Sequence, residues 1–230
     1  MITIIHGADT SQSRKYFLEQ KLKLLDAILF EAEKVTLTDL TQIFEGGGLF
    51  SETKNVFIEQ FLTKRKKSAD FLPIMDYLFK QAANNTITLW EGKELDYGTV
   101  MSLKNATMRV FKLPQTLFQL LDALRPGNGR LLISLFHKTI EESEVEMVFF
   151  MLIRQVRLLM AITEPGKVEI DELKKMAPWQ RSKLQNQANF FQLNELIALF
   201  HKLYTIEIGQ KTGSLNASLI STIDFFLLEV

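Results

Sequence analysis

The sequence predicts a two-part chain: an α/β domain built on an open, mainly parallel sheet, followed by an all-α helical bundle. Three observations carry that prediction. Apolar runs of strand length alternate with helical periods as far as about residue 113. At Pro114 the strand signals stop and helical periods alone continue. Apolar residues make up 47% of a 230-residue chain, enough to fill one large core or two ordinary ones.

Ile2-Thr3-Ile4-Ile5-His6-Gly7 reads as a buried strand ending in a glycine turn. Ser11 to Ala27 has helical spacing through Phe17, Leu18, Leu22, Leu24 and Leu25, continuing to Ile28. Ala32 to Leu37 reads as a second strand. Thr38-Asp39 then caps a short helix carrying Leu40, Ile43 and Phe44, which Gly46 stops. Lys54 to Glu59 is the third strand, Ala69 to Ala83 a helix, Thr86 to Trp90 the fourth strand and Met108 to Phe111 the fifth. Strands that alternate with helices pair in parallel, because each crossover returns the chain to the same edge.

After Pro114 the expected helices are Thr116 to Arg125, Arg130 to Ile140, a third helix opened by Ser143 and Glu146 and running to Ile162, Ile170 to Met176, Trp179 to Phe191 behind Pro178, Leu193 to about Lys211, and Ala217 to Leu228. Pro126-Gly127-Asn128-Gly129, Glu164-Pro165-Gly166 and Gly213 punctuate them. Gln180, Arg181, Lys183 and Gln187 give the fifth of these helices a polar side, read as either a solvated face or a contact surface.

The bulk numbers exclude several classes. Net charge is zero, so no global field draws the chain to nucleic acid or membrane. There is no cysteine, which removes disulfides, thiol catalysis and cysteine metal sites and fits a reducing cytoplasm. The N-terminus lacks a basic region and a long apolar run, so it reads as no signal peptide. Met147 to Ile162 is too short and too charged to cross a bilayer. The three histidines (His6, His137, His201) have no metal-ligand spacing, no Ser/His/Asp order stands out, and no cofactor is expected.

An α/β sheet often binds a nucleotide at its first strand–helix turn. A phosphate cradle would need a second glycine, a lysine and a hydroxyl residue after Gly7. The chain has Gln12, Ser13 and Arg14 there, so ATP binding is not expected. Lys64-Arg65-Lys66-Lys67 is a basic cluster, read as a solvated loop or as a DNA phosphate contact. Glu45-Gly46-Gly47-Gly48-Leu49-Phe50-Ser51 places two large apolar residues behind three glycines. Such a pair suits insertion, either into the chain's own core or into a pocket on a partner.

Five stretches, in order along nearly the whole chain, resemble the delta subunit of the bacterial DNA polymerase III clamp loader. They are Ile4-Ile5-His6-Gly7-Ala8-Asp9; Leu49-Phe50-Ser51 followed by Val56-Phe57-Ile58; Thr116 to Leu124; Leu152 to Leu159; and Ala188 to Phe191 continuing through Leu196 to Gly213. The resemblance implies an AAA+-like sheet without a P-loop, with residues 1–113 as a clamp-binding wrench and residues 114–230 as a collar for oligomerisation. It implies that Leu49 and Phe50, with Gly47, Gly48 and Ser51, dock on the sliding clamp (the beta subunit). The implied partners are the clamp-loader ATPase subunits and the delta-prime subunit, with DNA met weakly or indirectly through Lys64, Arg65, Lys66 and Lys67. No catalysis is implied for this chain. Two departures stand out: Val110 to Leu113 leave no span for the family's helical lid, and Gly47-Gly48 replace larger or hydroxyl residues. The rival readings are a nucleotide-binding α/β enzyme with a helical cap and a non-catalytic helical scaffold.

Overall fold

The computed structural model describes residues 1–24, 26–46, 53–103, 105–163 and 170–230. It divides into two compact units, Met1–Leu113 and Pro114–Val230.

In the first unit β1 (Ile2–Gly7), β2 (Ala27–Glu31), β3 (Asn55–Glu59), β4 (Thr86–Trp90) and β5 (Thr107–Phe111) form one sheet. The strand order is β2-β3-β4-β1-β5 and all four pairings are parallel. Alternation along the strands splits the side chains between two faces. Ile2, Ile4, Val56, Ile58, Ile87 and Leu89 join the larger core, with Leu40 of α2 (Leu37–Glu45) and Ile74 and Leu78 of α4 (Phe71–Gln81). Ile5, Phe57 and Trp90 meet Phe17 of α1 (Thr10–Leu22) on the other face.

Gly7 ends β1 with φ +151°, and a Cβ there would lie 1.9 Å from the Phe111 carbonyl oxygen. Only a residue without a side chain lets β5 pass that close to the turn.

Three expectations need correction. The second strand is Ala27–Glu31, not Ala32 to Leu37, and the first helix stops at Leu22 rather than Ala27. Leu24 and Ile28 fit a helical period with Phe17, but the Lys23 amide already turns back onto the Glu19 and Lys21 carbonyls. Ala27 to Glu31 instead pair residue for residue with Asn55 to Glu59. Tertiary pairing therefore outweighs a local period. The cap of α2 is Thr36, not Thr38. Its side chain accepts from the Asp39 amide while Asp39 accepts from the Thr36 amide. Two short helices were not anticipated, α3 (Phe61–Lys64) and α5 (Tyr97–Ser102), each too short to express a period.

The second unit is all helical: α6 (Gln115–Asp122), α7 (Gly129–Ile140), α8 (Val145–Thr163), α9 (Asp171–Lys174), α10 (Pro178–Ala188), α11 (Leu193–Thr212) and α12 (Leu219–Leu228). Helix α8 is central and packs on α6, α7, α10, α11 and α12. It is buried on more than one side, through Val148, Phe149, Leu152, Val156 and Leu159. That explains its apolar character without a bilayer. No helix among the described residues is long and apolar enough to cross a membrane.

Candidate functional site

The first strand–helix turn is where a phosphate would sit, and the chain fills it with its own groups. Asp9 is 2% exposed and caps α1, its carboxylate accepting from the Gln12 amide at 2.9 Å. The Asp9 amide donates to the Phe111 carbonyl, and the Thr10 amide to that of Ala8. A carboxylate at the positive end of the helix takes the place of an incoming anion and repels one. Arg14, the cation nearest this turn in sequence, pairs with Glu59 at 3.2 Å and lies over the Trp90 ring. Among the described residues no group of three His, Asp or Glu side chains can hold a metal.

The docking residues expected from the sequence, Gly47, Gly48, Leu49, Phe50 and Ser51, lie outside the described residues. Their flanks are described. On the entry side the Gly46 amide closes α2 onto the Gln42 carbonyl at 2.8 Å. Glu45 accepts from the Tyr77 hydroxyl at 3.0 Å, and the Phe44 ring lies 6.0 Å from that of Tyr77. On the exit side the Lys54 amide donates to the Asn85 side chain at 2.8 Å. The connection from α2 to β3 thus enters at the N-terminal edge of the sheet.

The basic cluster follows the C-terminal end of β3 and so belongs to the opposite edge. The described flanks of the first stretch, Gly46 and Lys54, are not brought together with the basic cluster. Within the cluster, Lys64 pairs with Glu33 at 3.0 Å. Arg65 bonds the Val35 carbonyl and Asp70. Lys66 donates to Thr99 at 2.8 Å and lies 3.7 Å from Asp96. The Thr99 hydroxyl and amide hold the Asp96 carboxyl down to about 2, so Lys66 faces a carboxylate at any neutral pH. Lys67 is exposed and has no ion pair among the described residues.

Sequence reasoning missed Glu91. It is fully buried at the end of β4, and its two carboxylate oxygens accept from the Leu62 amide at 2.8 Å and the Thr63 amide at 3.0 Å. It therefore supplies the start of α3, for which Gln60, at φ 59°, offers no side-chain cap. Burial pushes the Glu91 carboxyl above its ordinary value of 4.5, against the lowering effect of those amide bonds. A carboxyl whose pKa rises on folding contributes stability that is present below the unfolded value and lost as pH rises through the folded one. Replacement Glu91→Gln, followed by urea unfolding across a pH series, is expected to remove that component. The advantage of wild type over the variant shrinks as pH climbs from 4.5. A difference that stays flat or grows refutes it.

In the helical unit the polar side expected for residues 180–187 divides. Gln180, Arg181 and Lys183 are exposed, but Gln187 is buried. Its amide nitrogen donates to the Leu121 and Leu124 carbonyls at 2.7 and 2.9 Å, and its oxygen accepts from Gln155 at 2.7 Å. Beside it a groove of about 250 Å³ lies between α6, α8 and α10, lined in part by Phe118, Met151, Leu158 and Trp179. Lys183 pairs with Asp122, and Arg154 with Glu172, along the same groove. Tyr204 and Ile208 of α11 and Phe225 and Leu228 of α12 are large apolar side chains left exposed.

Residues 114–230 match the family described as DNA polymerase III delta subunit, C-terminal domain. Among solved structures the chain is similar to a Bacillus subtilis DNA clamp loader delta protein. The identity is 14% and the TM-score 0.45, over 99% of this chain and 94% of that one. It is also similar to AMPPCP-bound DnaA from Aquifex aeolicus, at 12% identity and TM-score 0.33, over 98% of this chain and 87% of that one. No curated protein matches the chain in sequence.

Proposed function

The chain belongs to the DNA polymerase III delta-subunit family, and on that premise we propose that it binds and helps open the sliding clamp for loading onto primed DNA. The observation that carries this reading is the family match over the whole helical unit. Leu49 and Phe50, with Gly47, Gly48 and Ser51 around them, insert into a pocket on the clamp. The α/β unit then acts as a wrench that prefers the open ring, since a binder shifts an equilibrium only by its differential affinity. The helical unit joins the collar formed with the clamp-loader ATPase subunits and the delta-prime subunit, in the cytoplasm. The family's lid is dispensed with.

The chain performs no chemistry of its own. ATP in sister subunits drives the cycle, and the carboxylate of Asp9 at the head of α1 supports that division of labour. DNA phosphate contact falls to Lys64, Arg65, Lys66 and Lys67, and only Lys67 enters it without exchanging an ion pair described above.

Native mass spectrometry of the full chain mixed with the same organism's sliding clamp tests the assignment. A complex of chain and clamp is expected without nucleotide. Detectable ATP turnover by the chain alone, with no clamp complex, would revive the enzyme reading.

A further inference from the structure

A buried histidine stands at the end of β1, outside every role assigned so far. His6 is 2% exposed, and alternation along the strand puts it on the face of Ile2 and Ile4. On that face it meets the connection from β4 to α5, residues 91–96. The Leu95 amide donates to His6 Nδ1 at 3.3 Å. A backbone amide can only donate, so Nδ1 carries no proton and the ring proton sits on Nε2. Nε2 is itself buried, with no partner among the described residues. The site therefore accepts the neutral ring alone. A second proton would set Nδ1–H against the Leu95 N–H, donor against donor, and would place a charge beside an apolar core. The connection has two further anchors. At its start the Glu91 amide donates to the Ile5 carbonyl at 2.9 Å, and the Glu91 carboxylate meets the first amides of α3. At its end Asp96 accepts from the Thr99 amide at 2.9 Å and faces Lys66 at 3.7 Å.

We propose that His6 is an acid-sensitive pin: as the neutral ring it fastens the β4–α5 connection to β1, and on protonation it lets the connection go. Burial holds the His6 pKa below its ordinary 6.5, outweighing the opposite pull of the Glu94 carboxylate. The other charged groups nearby are turned elsewhere. Glu91 serves α3, with Lys93 acting on it, and Asp96 is taken up by Thr99 and Lys66. On β5, Arg109 is in register with Ile5 and lies over the Tyr16 ring, on the opposite face of the sheet. Helix α5 has no charged residue between Tyr97 and Ser102. The sign follows from linkage. A base whose pKa falls on folding takes its proton more readily in the released state, so the bond is secure above 6.5 and is weakened as pH drops below it.

The test is amide exchange of the full chain, read by NMR and corrected for the intrinsic pH dependence of exchange. Opening at the Leu95 amide is expected to rise by up to about tenfold between about pH 7.5 and about pH 5.5, the most that one proton of ordinary pKa in the open state supplies. His6→Asn offers an amide oxygen in place of Nδ1 and does not titrate. It is expected to protect Leu95 at neutral pH and to lose the extra opening in acid. Glu91, whose raised carboxyl acts with the opposite sign, is present in both proteins and cancels in the difference. A second measurement needs no variant: the nitrogen shifts of the wild-type ring should show bare Nδ1 and protonated Nε2 at neutral pH. The ring should still be mostly neutral at pH 6.5, where an unperturbed histidine is half protonated. An exchange profile in His6→Asn that follows wild type through acid overturns the pin. So does a ring that carries its proton on Nδ1 at neutral pH, or one that is half protonated at or above 6.5.

Discussion

Replacing Leu49 and Phe50 together by alanine is expected to weaken binding to the sliding clamp by at least about a hundredfold. Burial of each side chain in a partner pocket contributes about 1.5–3 kcal/mol, so the pair accounts for about 3–6 kcal/mol. Two such anchors can dominate an interface, since a few buried apolar or aromatic residues carry most of the energy in many complexes. They need no charged partner, which suits a chain of net charge zero. Binding of the variant should therefore fall at low and at moderate salt alike. The thermal midpoint of the free chain separates docking from core packing. Side chains that serve a partner leave it nearly unchanged, whereas Leu→Ala and Phe→Ala in a core cost about 2–5 kcal/mol each. Titration by isothermal calorimetry and a melting curve on the same sample decide it. Normal clamp affinity, or a chain that unfolds many degrees earlier, would sink the docking role.

The second large effect belongs to the helical unit. Gln187→Leu keeps the side chain's bulk but removes every polar bond it makes. The Leu124 carbonyl, just past the end of α6, loses its donor, the Leu121 carbonyl keeps only its backbone bonds, from the Leu124 amide at 3.4 Å and from the Ala123 amide, and the Gln155 amide nitrogen loses its acceptor. Residues 155 and 187 are each only 8% exposed, so water has little access. A buried polar group left without a partner costs about 1–3 kcal/mol. The expected loss for two such groups, with a third left on its weaker backbone bonds, is about 3–5 kcal/mol. Against a total stability of about 5–15 kcal/mol, that lowers the helical transition by roughly 10–20 °C. Circular dichroism at 222 nm on the full chain measures it. A shift of under about 3 °C would mean that α6 ends without help from α10.

The polar bond across α6, α8 and α10 also shows where sequence reasoning stops. Gln187 sits four positions from exposed Lys183 and seven from exposed Gln180, so spacing alone groups it with the solvated face. Burial of a glutamine depends on two carbonyls more than sixty residues earlier in the chain. Glu91 is similar. In the sequence it is one acid after a strand, and in the fold it starts a helix 29 residues upstream. The basic cluster is visible as four adjacent cations, but its acidic neighbours Glu33, Asp70 and Asp96 come from three separate segments.

By itself the sequence determined the alternation of strands and helices before Pro114, the all-helical continuation after it, and the absence of a phosphate-binding glycine–lysine turn. Those properties are local: a period of two or 3.6, or a fixed short spacing, is written in consecutive residues. Only the tertiary structure decided that the second strand is Ala27–Glu31, that Asp9 fills the head of α1, and that Glu45 meets Tyr77 while Lys54 meets Asn85. Each of these depends on which distant group arrives within about 3 Å, and a hydrogen bond at that range is set by packing rather than by position along the chain.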